Sequence, residues 1–216
     1  MVLKKLYELK RPYYSRVVIK GWGVRRGDLW IHGEIHISIR ANIYYSVVGV
    51  KQNNGKNYGG VDVNVDRINL AIINEKGELL DVKGFKFKYA RMRPANRKIV
   101  WSEIGERIHE MLKYDYHHGV KILYLENPTV LGKLATLWRV KGKRHNKTYN
   151  YLKNCFRSSI IERLTLKAPL YGILVEYVNP KETTNSPLHK DIMKKYGLDR
   201  HCASAYLIAL KGIKKY

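Results

Sequence analysis

The amino-acid sequence predicts an α/β protein in which a mixed β-sheet is flanked by helices and preceded by a small basic β unit. Three observations predict this class. From residue 58 onward, segments with strand and helix periodicity follow in the order β-β-β-α-β-α-β-α. A three-strand meander that continues into alternating strands and helices gives a mixed sheet with helices on both faces. A Gly- and Asn-rich stretch at 53–60 separates this part from a basic segment rich in β-branched and aromatic residues.

The first predicted domain, residues 1–57, is the small basic β unit. Three of its segments are rich in β-branched and aromatic residues, and we expect a strand in each: 15–24, 28–40 and 42–52. The sequence "RRGD" at 25–28 predicts the turn between the first two strands.

The second predicted domain, residues 58–216, opens with the meander. The segment "GVDVNVDRINLAIIN" at 60–74 predicts a strand, and "EKG" at 75–77 predicts a hairpin turn. One or two further strands are expected within 78–90.

Alternating helices and strands follow the meander. The apolar residues of 96–117 recur near helical spacing, which predicts an amphipathic helix. The nearly all-apolar "VKILYLENP" at 120–128 is typical of a buried parallel strand that ends in an acid. The remaining predicted elements are a helix at 149–172, a strand at 173–180, and closing helices at 188–197 and 201–215.

The charge balance predicts a polyanionic partner. The sequence has 41 Lys and Arg against 18 Asp and Glu, a formal net charge of +23. Such an excess attracts polyanions, of which nucleic acid is the commonest in cells. The alternative is a Lys-rich thermophile surface, but such surfaces add Glu alongside Lys, and this sequence does not. We expect a nucleic-acid partner, with DNA ahead of RNA.

The sequence also predicts a compartment. It has two cysteines, too few for a disulfide framework, and no CxxC pair for structural zinc. It opens without a charged-then-apolar leader, and no apolar run approaches the roughly 20 residues that span a bilayer. We expect a soluble cytoplasmic protein with no membrane partner, and the oligomeric state is left open.

Three acids stand out by their context. Asp62 lies between valines in the first strand of the predicted sheet, and Glu126 ends the "ILYLEN" strand. Asp199 precedes the last predicted helix. If the first and fourth strands are neighbours, Asp62 and Glu126 lie side by side, and the last helix can bring Asp199 over them. Converging carboxylates repel one another, and hard divalent cations such as Mg²⁺ relieve that repulsion.

Each acid also has a structural alternative. Asp62 could face water on an edge strand, Glu126 could serve a turn before "NP", and Asp199 could be a helix N-cap. Asp66 is four residues beyond Asp62, and we expect it in an exposed strand or turn rather than as a fourth ligand.

Four segments around these acids resemble the TnpB/OrfB proteins of bacterial and archaeal transposons, over residues 58–212. They are "GGVDVNVDRINLAIINEKGELL", "ILYLEN", "FRSSIIERLTLKAPLYGILVEYVNPKETTNS" and "DRHCASAYLIAL". The resemblance implies an RNase H-like, RuvC-like nuclease domain that uses Mg²⁺ or Mn²⁺. It places Asp62, Glu126 and Asp199 on the three catalytic, metal-binding carboxylates, and it likens the segment before residue 58 to a wedge-type β-barrel.

The sequence departs from the family pattern in three respects. Asn64 stands where the family has glycine, the zinc ribbon between the last two motifs is absent, and the helical N-terminal part of larger members has no counterpart. The closing motif also resembles RuvC-type Holliday-junction resolvases, in which a His or Asp joins the site. His201 is therefore an accessory candidate, with a cap or surface role as the alternative.

Two basic stretches with interleaved aromatic residues predict phosphate contacts and base stacking. They span 88–98 and 138–153, and the second is expected as a loop over the active site, with a solvated basic face as the alternative for both. The residues expected to bind nucleic acid are Arg91, Arg93, Arg97, Arg139, Lys141, Lys143 and Arg144.

These features together predict a metal-dependent endonuclease that hydrolyses phosphodiester bonds at a RuvC-like carboxylate site, in a mobile element or virus. Two alternatives stay open. One is a non-catalytic nucleic-acid-binding protein on the same scaffold, and the other is a resolvase-type dimer that recognises Holliday junctions.

Overall fold

The chain forms two compact units, Met1–Val50 and Lys51–Tyr216. A computed structural model describes residues 2–10, 12–49, 53–88, 96–128, 144–179 and 187–214.

The first unit contains two helices and a two-stranded antiparallel ribbon. Its elements are α1 (Val2–Glu8), β1 (Tyr14–Arg25), β2 (Asp28–Ser38) and α2 (Ala41–Val48). Arg26 and Gly27 form the predicted turn between the strands, with positive φ angles of 53° and 88°. The strand predicted at 42–52 is wrong, because residues 41–48 are helical. Helical geometry buries Val47 as α2 packs on α1, so tertiary packing overrides the β propensity.

One face of the ribbon is apolar and exposed. Trp22 pairs with Ile31 across the strands, and Val24 pairs with Leu29. Ile35 lies on the same face as Ile31, since side chains four positions apart on a strand point the same way. The exposed fractions of these five residues run from 58% to 70%.

The second unit is built on a five-stranded mixed sheet. Its strands are β3 (Asn57–Val63), β4 (Arg67–Ile73), β5 (Leu79–Lys86), β6 (Val120–Glu126) and β7 (Leu174–Val178). The order across the sheet is β5-β4-β3-β6-β7. The first three strands form the antiparallel meander, whereas β6 is parallel to β3 and β7 is parallel to β6. This strand order confirms the predicted RNase H-like mixed sheet, with its first and fourth strands adjacent.

Helices cover both faces of this sheet, as predicted. They are α3 (Arg97–His117), α4 (Arg144–Lys167), which continues into a 3₁₀ turn, α5 (Pro187–Tyr196) and α6 (Arg200–Ile213). Strand β4 shows how the faces divide. Leu70 and Ile72 join the cluster formed with α3 and α4, while Ala71 and Ile73 join the cluster formed with α5 and α6. The alternation follows the two-residue period of a strand that is buried on both sides.

Helix α6 lies against the centre of the sheet. A Cβ atom added to Gly60 of β3 would overlap the backbone carbonyl of Ala205 and the backbone nitrogen of Ala209. Glycine in the strand and small residues in the helix therefore permit a close approach of the two backbones. This contact sets the position of the first turn of α6 over the edge of the sheet where β3 ends.

No helix in the part of the chain that the structure describes combines the length and the apolar character needed to cross a membrane.

Candidate active site

Asp62 and Glu126 lie side by side at one edge of the sheet, as the sequence analysis predicts. Val61 is paired with Leu125 across the parallel strands β3 and β6, so the next residue on each strand is one of the two acids. Both acids are buried, with 6% and 7% of their surface exposed. Two carboxylates in this position need positive charge or hydrogen-bond donors nearby, because burial disfavours their ionised forms.

Arg157 of α4 supplies part of that charge. Its Nη2 atom lies 2.6 Å from Glu126 Oε2 and 3.7 Å from Asp62 Oδ1, so one guanidinium contacts both carboxylates. Its Nε atom donates a hydrogen bond to the Val63 carbonyl, which orients the guanidinium towards the ends of both strands. The sequence analysis did not single out Arg157. Its only signal is a basic residue in the middle of an amphipathic helix, which is common in a chain with 41 Lys and Arg.

The charge of Arg157 does not fully offset the cost of burying Glu126. Burial raises the pKa of Glu126, Arg157 opposes this through its charge and hydrogen bond, and the nearby Asp62 raises it further. The net result is a pKa above the ordinary value for glutamate. The site therefore holds more negative charge than its protein environment stabilises, which is the setting in which a carboxylate pair accepts a cation.

Asn64 and His201 complete the surroundings of Asp62. The Asn64 amide donates to Asp62 Oδ2 at 2.7 Å, and His201 Nδ1 lies 3.1 Å from the same oxygen. The Asn64 amide nitrogen and His201 Nδ1 are 3.0 Å apart, so the three groups form a triangle. Asn64, which departs from the family's glycine, thus contacts the predicted catalytic acid. His201, the predicted accessory residue, contacts Asp62 from the first turn of α6.

Asp199 is the N-cap of α6, which is the structural alternative that the sequence analysis left open. Its Oδ1 atom accepts hydrogen bonds from the backbone N–H groups of His201, at 2.9 Å, and Cys202, at 2.7 Å. Partial burial acts to raise its pKa, but these hydrogen bonds outweigh that effect and hold the pKa below its ordinary value. Asp199 is exposed, and none of its hydrogen bonds or ion pairs among the described residues joins it to Asp62 or Glu126.

A divalent cation fits the donors that are present. The side-chain oxygens of Asp62 and Glu126 are the hard ligands that Mg²⁺ and Mn²⁺ take, and such ions are commonly held by one or two carboxylates together with water and phosphate. Across the described ranges, no group of three His, Cys, Asp or Glu side chains is clustered as a metal site. A cation here would thus use two carboxylates, with further ligands from substrate, from water or from a side chain that moves.

The other predicted site residues fall into two groups. Asp66 lies in the turn after β3, as expected, but its side chain is 15% exposed and pairs with Arg67 at 3.1 Å, so it does not point freely into water. Arg97 is exposed at the start of α3, and Arg144 begins α4, so the loop predicted at 138–153 is helical from residue 144. The rest lie outside the described residues: Arg91, Arg93, Arg139, Lys141 and Lys143.

Comparisons with known proteins give the following matches. No protein-family profile matches the chain. Two uncharacterized proteins of Aeropyrum pernix are 52% identical over 217 residues, covering all of this chain and 58% and 52% of their own lengths. An uncharacterized protein of Saccharolobus solfataricus, SSO2105, is 29% identical over 183 residues, covering 83% of this chain and 47% of its own length. The chain thus spans about half the length of the curated relatives it matches.

Solved structures that match the chain include the following two. Thermus thermophilus RuvC in complex with a Holliday junction substrate has a TM-score of 0.48 and 12% identity, covering 74% of this chain and 94% of RuvC. A Cas12f1–sgRNA–target DNA complex has a TM-score of 0.45 and 13% identity, covering 91% of this chain and 67% of the other. The assignment of an RNase H-like fold to this chain rests on the strand order of its own sheet.

Proposed function

We propose that this protein is a metal-dependent nuclease that hydrolyses phosphodiester bonds at a RuvC-like site and is related to the TnpB/OrfB family. The observation that carries the proposal is the pair of buried acids, Asp62 and Glu126, on adjacent parallel strands of an RNase H-like sheet. The chain around them has a net charge of +23. A basic surface attracts a nucleic-acid backbone, and the acidic pair provides a place where a divalent cation can join the backbone to the protein.

The proposed reaction divides the work among four side chains. Asp62 and Glu126 would hold Mg²⁺ or Mn²⁺, and a bound ion would supply the charge needed to activate a water and to stabilise the leaving oxygen. Arg157 holds both carboxylates at the strand ends through its contacts with each. His201 Nδ1 faces Asp62 Oδ2, so a ring that carries a proton on Nδ1 donates to Asp62, while a neutral ring with its proton on Nε2 accepts from the Asn64 amide. The products we expect are a 5′-phosphate and a 3′-hydroxyl.

Substitutions at two nearby acids, Asp62 and Asp66, test the proposed site. We expect Asp62→Asn to abolish Mg²⁺- or Mn²⁺-dependent cleavage of labelled single-stranded, duplex and branched DNA or RNA, while binding measured in EDTA survives. Asp66→Asn is the matched control, because Asp66 lies four residues away, pairs with Arg67 and should leave cleavage close to wild type. Equal cleavage by wild type and Asp62→Asn would refute the proposed site.

Two further variants in the same assay test whether Asp199 or His201 provides a third metal ligand. Asp199 stays our prediction for a catalytic carboxylate, and its N-cap contacts support a positioning role as well. Asp199→Asn keeps the cap, since Asn caps helices as well as Asp does, but removes the charge. Loss of cleavage in Asp199→Asn with an unchanged melting temperature would support a ligand role. Full cleavage in Asp199→Asn and loss in His201→Ala would assign the third position to His201.

A second candidate function is a nucleic-acid-binding protein without catalysis. The observation that favours it is Arg157, whose guanidinium already contacts both acids and offsets part of their charge. The assay above distinguishes the two functions. A purified wild type that binds nucleic acid but cleaves none of the single-stranded, duplex or four-way-junction substrates with Mg²⁺ or Mn²⁺ would support binding alone.

A further inference from the structure

A basic groove runs between the N-terminal turns of α3 and the C-terminal half of α4. Its volume is about 1060 Å³. Among the described residues, the charged and aromatic side chains that line it are Arg97, Lys98, Trp101, Glu162, Arg163 and Lys167. Four cations against one carboxylate give the groove a positive charge, which favours an anionic occupant.

The Arg163 side chain lies over the Trp101 ring in this groove. The Arg163 guanidinium carbon lies 4.3 Å from the Trp101 ring centroid, which is the geometry of a cation–π pair. Phe156 packs on the same indole at 5.2 Å between centroids and so restrains it. Arg163 itself is exposed. The guanidinium thus lies over a restrained indole ring, and the Arg163 side chain remains accessible to solvent.

The flanking cations are free to meet an anion. Arg97 and Lys98 are exposed, and within the part of the chain that the structure describes no ion pair joins them or Arg163 to a carboxylate. Lys167 differs from these cations because its Nζ atom already donates a hydrogen bond to His109 Nε2, at 2.6 Å. His109 Nδ1 then donates to the Tyr171 hydroxyl at 2.9 Å, which completes a short hydrogen-bonded chain.

Helix α4 links this groove to the proposed active site. Phe156, which restrains Trp101, immediately precedes Arg157, which contacts the two catalytic acids. Arg163 follows Arg157 by six positions, or about 9 Å along a helix axis.

We propose that this groove binds a single-stranded segment of nucleic acid beside the phosphate that is cleaved. The phosphates contact Arg97, Lys98 and Lys167, and an unpaired base stacks on the outer surface of the Arg163 guanidinium. Bases stack on arginine planes when they are free of a duplex, whereas the faces of paired bases are covered by their neighbours. The inference rests on the proposed function and adds to it the form of the substrate at this position.

Equilibrium binding of fluorescent oligonucleotides tests the proposal, in EDTA so that nothing is cleaved. The probes are a single-stranded oligonucleotide and a blunt duplex of the same length. We expect Arg163→Glu to lower single-strand affinity about tenfold or more and duplex affinity by less. Arg163→Lys keeps the charge but loses the plane, so we expect an intermediate loss for the single strand and none for the duplex. Lys194→Glu on the exposed surface of α5 is the charge-matched control, with a smaller loss on both probes.

The outcomes separate the two proposals. If Arg163→Glu and Lys194→Glu weaken single-strand binding equally, or if the single strand and the duplex lose affinity in the same ratio, the groove is not a single-strand site. Melting temperatures and circular dichroism spectra confirm that each variant is folded before its affinity is compared. If the wild type cleaves in an Asp62-dependent manner but Arg163→Glu binds like the wild type, this inference alone fails. If the wild type binds neither probe and cleaves nothing, the proposed function fails.

Discussion

At the scale of single residues, the candidate site is a balance between two buried acids and one arginine. Asp62 and Glu126 compete for the charge of Arg157, and Glu126 is closer to it, at 2.6 Å against 3.7 Å. The raised pKa of Glu126, caused first by burial and opposed by Arg157, shows that the balance is incomplete. An ionised Glu126 therefore destabilises the metal-free fold relative to a protonated one.

This imbalance predicts how stability depends on pH and metal. A carboxyl whose pKa is raised on folding binds protons more tightly in the folded state, so the free energy of unfolding falls as pH rises above the ordinary glutamate value of 4.5. At neutral pH we expect Mg²⁺ or Mn²⁺ to raise the melting temperature of the wild type. In Glu126→Gln, which retains an acceptor for Arg157, we expect this gain to shrink or vanish. Thermal unfolding at pH 5 and pH 7.5, with and without metal, measures both effects, and an equal gain in the variant would contradict the assignment.

The sequence predicts the two acids and His201, but it does not predict that Arg157 and Asn64 contact the acids. An aspartate between valines is conspicuous, because burying a carboxylate is costly and demands a reason. Arg157 and Asn64 carry no such signal, since an arginine on a helix and an asparagine after a strand are ordinary surface and turn residues. Only the strand register and the position of α4 show that both point at Asp62. For Asp199, both the N-cap and the ligand are consistent with the sequence alone.

At the scale of elements, the close contact between β3 and α6 controls the geometry of the site. Strand β3 carries Asp62, and the first turn of α6 carries His201. The Gly60 contact with the backbone of α6 keeps the two elements together. A change that pushed α6 outward would therefore separate the histidine from the acid.

Two glycine substitutions test this contact. We expect Gly60→Ala to destabilise the fold by about 1–3 kcal/mol, because the new methyl group would overlap backbone atoms of α6. Gly105→Ala in α3 is the control. No atom lies within 4 Å of its Cβ position, so we expect it to stabilise the helix by about 0.5–1 kcal/mol. Chemical denaturation measures both changes, and a Gly60→Ala protein as stable as the wild type would mean that α6 is less tightly packed than described.

Most elements of the second unit, and the two strands of the first, could be predicted from the sequence pattern, whereas helices α1 and α2 could not. The run that became β6 is apolar and bounded by turn residues, so local sequence and tertiary packing agree there. The single strand predicted at 60–74 is instead two antiparallel strands, β3 and β4, joined by a turn at 64–66. Residues 41–48 have strand-like composition but form α2, because the packing of α2 on α1 buries Val47. Short segments of this kind are decided by their partners, which the sequence does not reveal.

At the scale of the whole molecule, the excess of 41 Lys and Arg over 18 Asp and Glu would dominate the proposed encounter with nucleic acid. Contacts with phosphates release condensed counterions, so the logarithm of the binding constant falls linearly with the logarithm of the salt concentration. The slope is about 0.7 per phosphate contacted on a single strand. We expect a steep salt dependence for the wild type. Arg163→Glu places a carboxylate among the cations proposed to contact phosphates, so it should lower the slope by about 0.7 or more, and Lys194→Glu should change the slope less. A salt-independent affinity would exclude backbone-dominated binding.

The mixed sheet and its helical layers could be predicted from the order of elements, because a meander followed by alternating units leaves few arrangements of strands. The placement of the basic residues could not. Five of the seven predicted contact residues fall outside the described ranges. Arg97 lies in a groove whose other wall, the C-terminal half of α4, is more than sixty residues further along the chain. Charge at this distance in sequence meets only through the tertiary fold.

The register of Asp62 and Glu126 also has a consequence for how the protein is made. His201 lies 139 positions after the aspartate that it contacts, and Arg157 lies 31 positions after Glu126. As the chain leaves the ribosome, the two acids emerge before the arginine that stabilises them and long before the histidine. Until α4 packs on the sheet, the two acids therefore lack the arginine that offsets part of their charge. The described arrangement around the two acids is therefore complete only once α4 and α6 have both packed on the sheet.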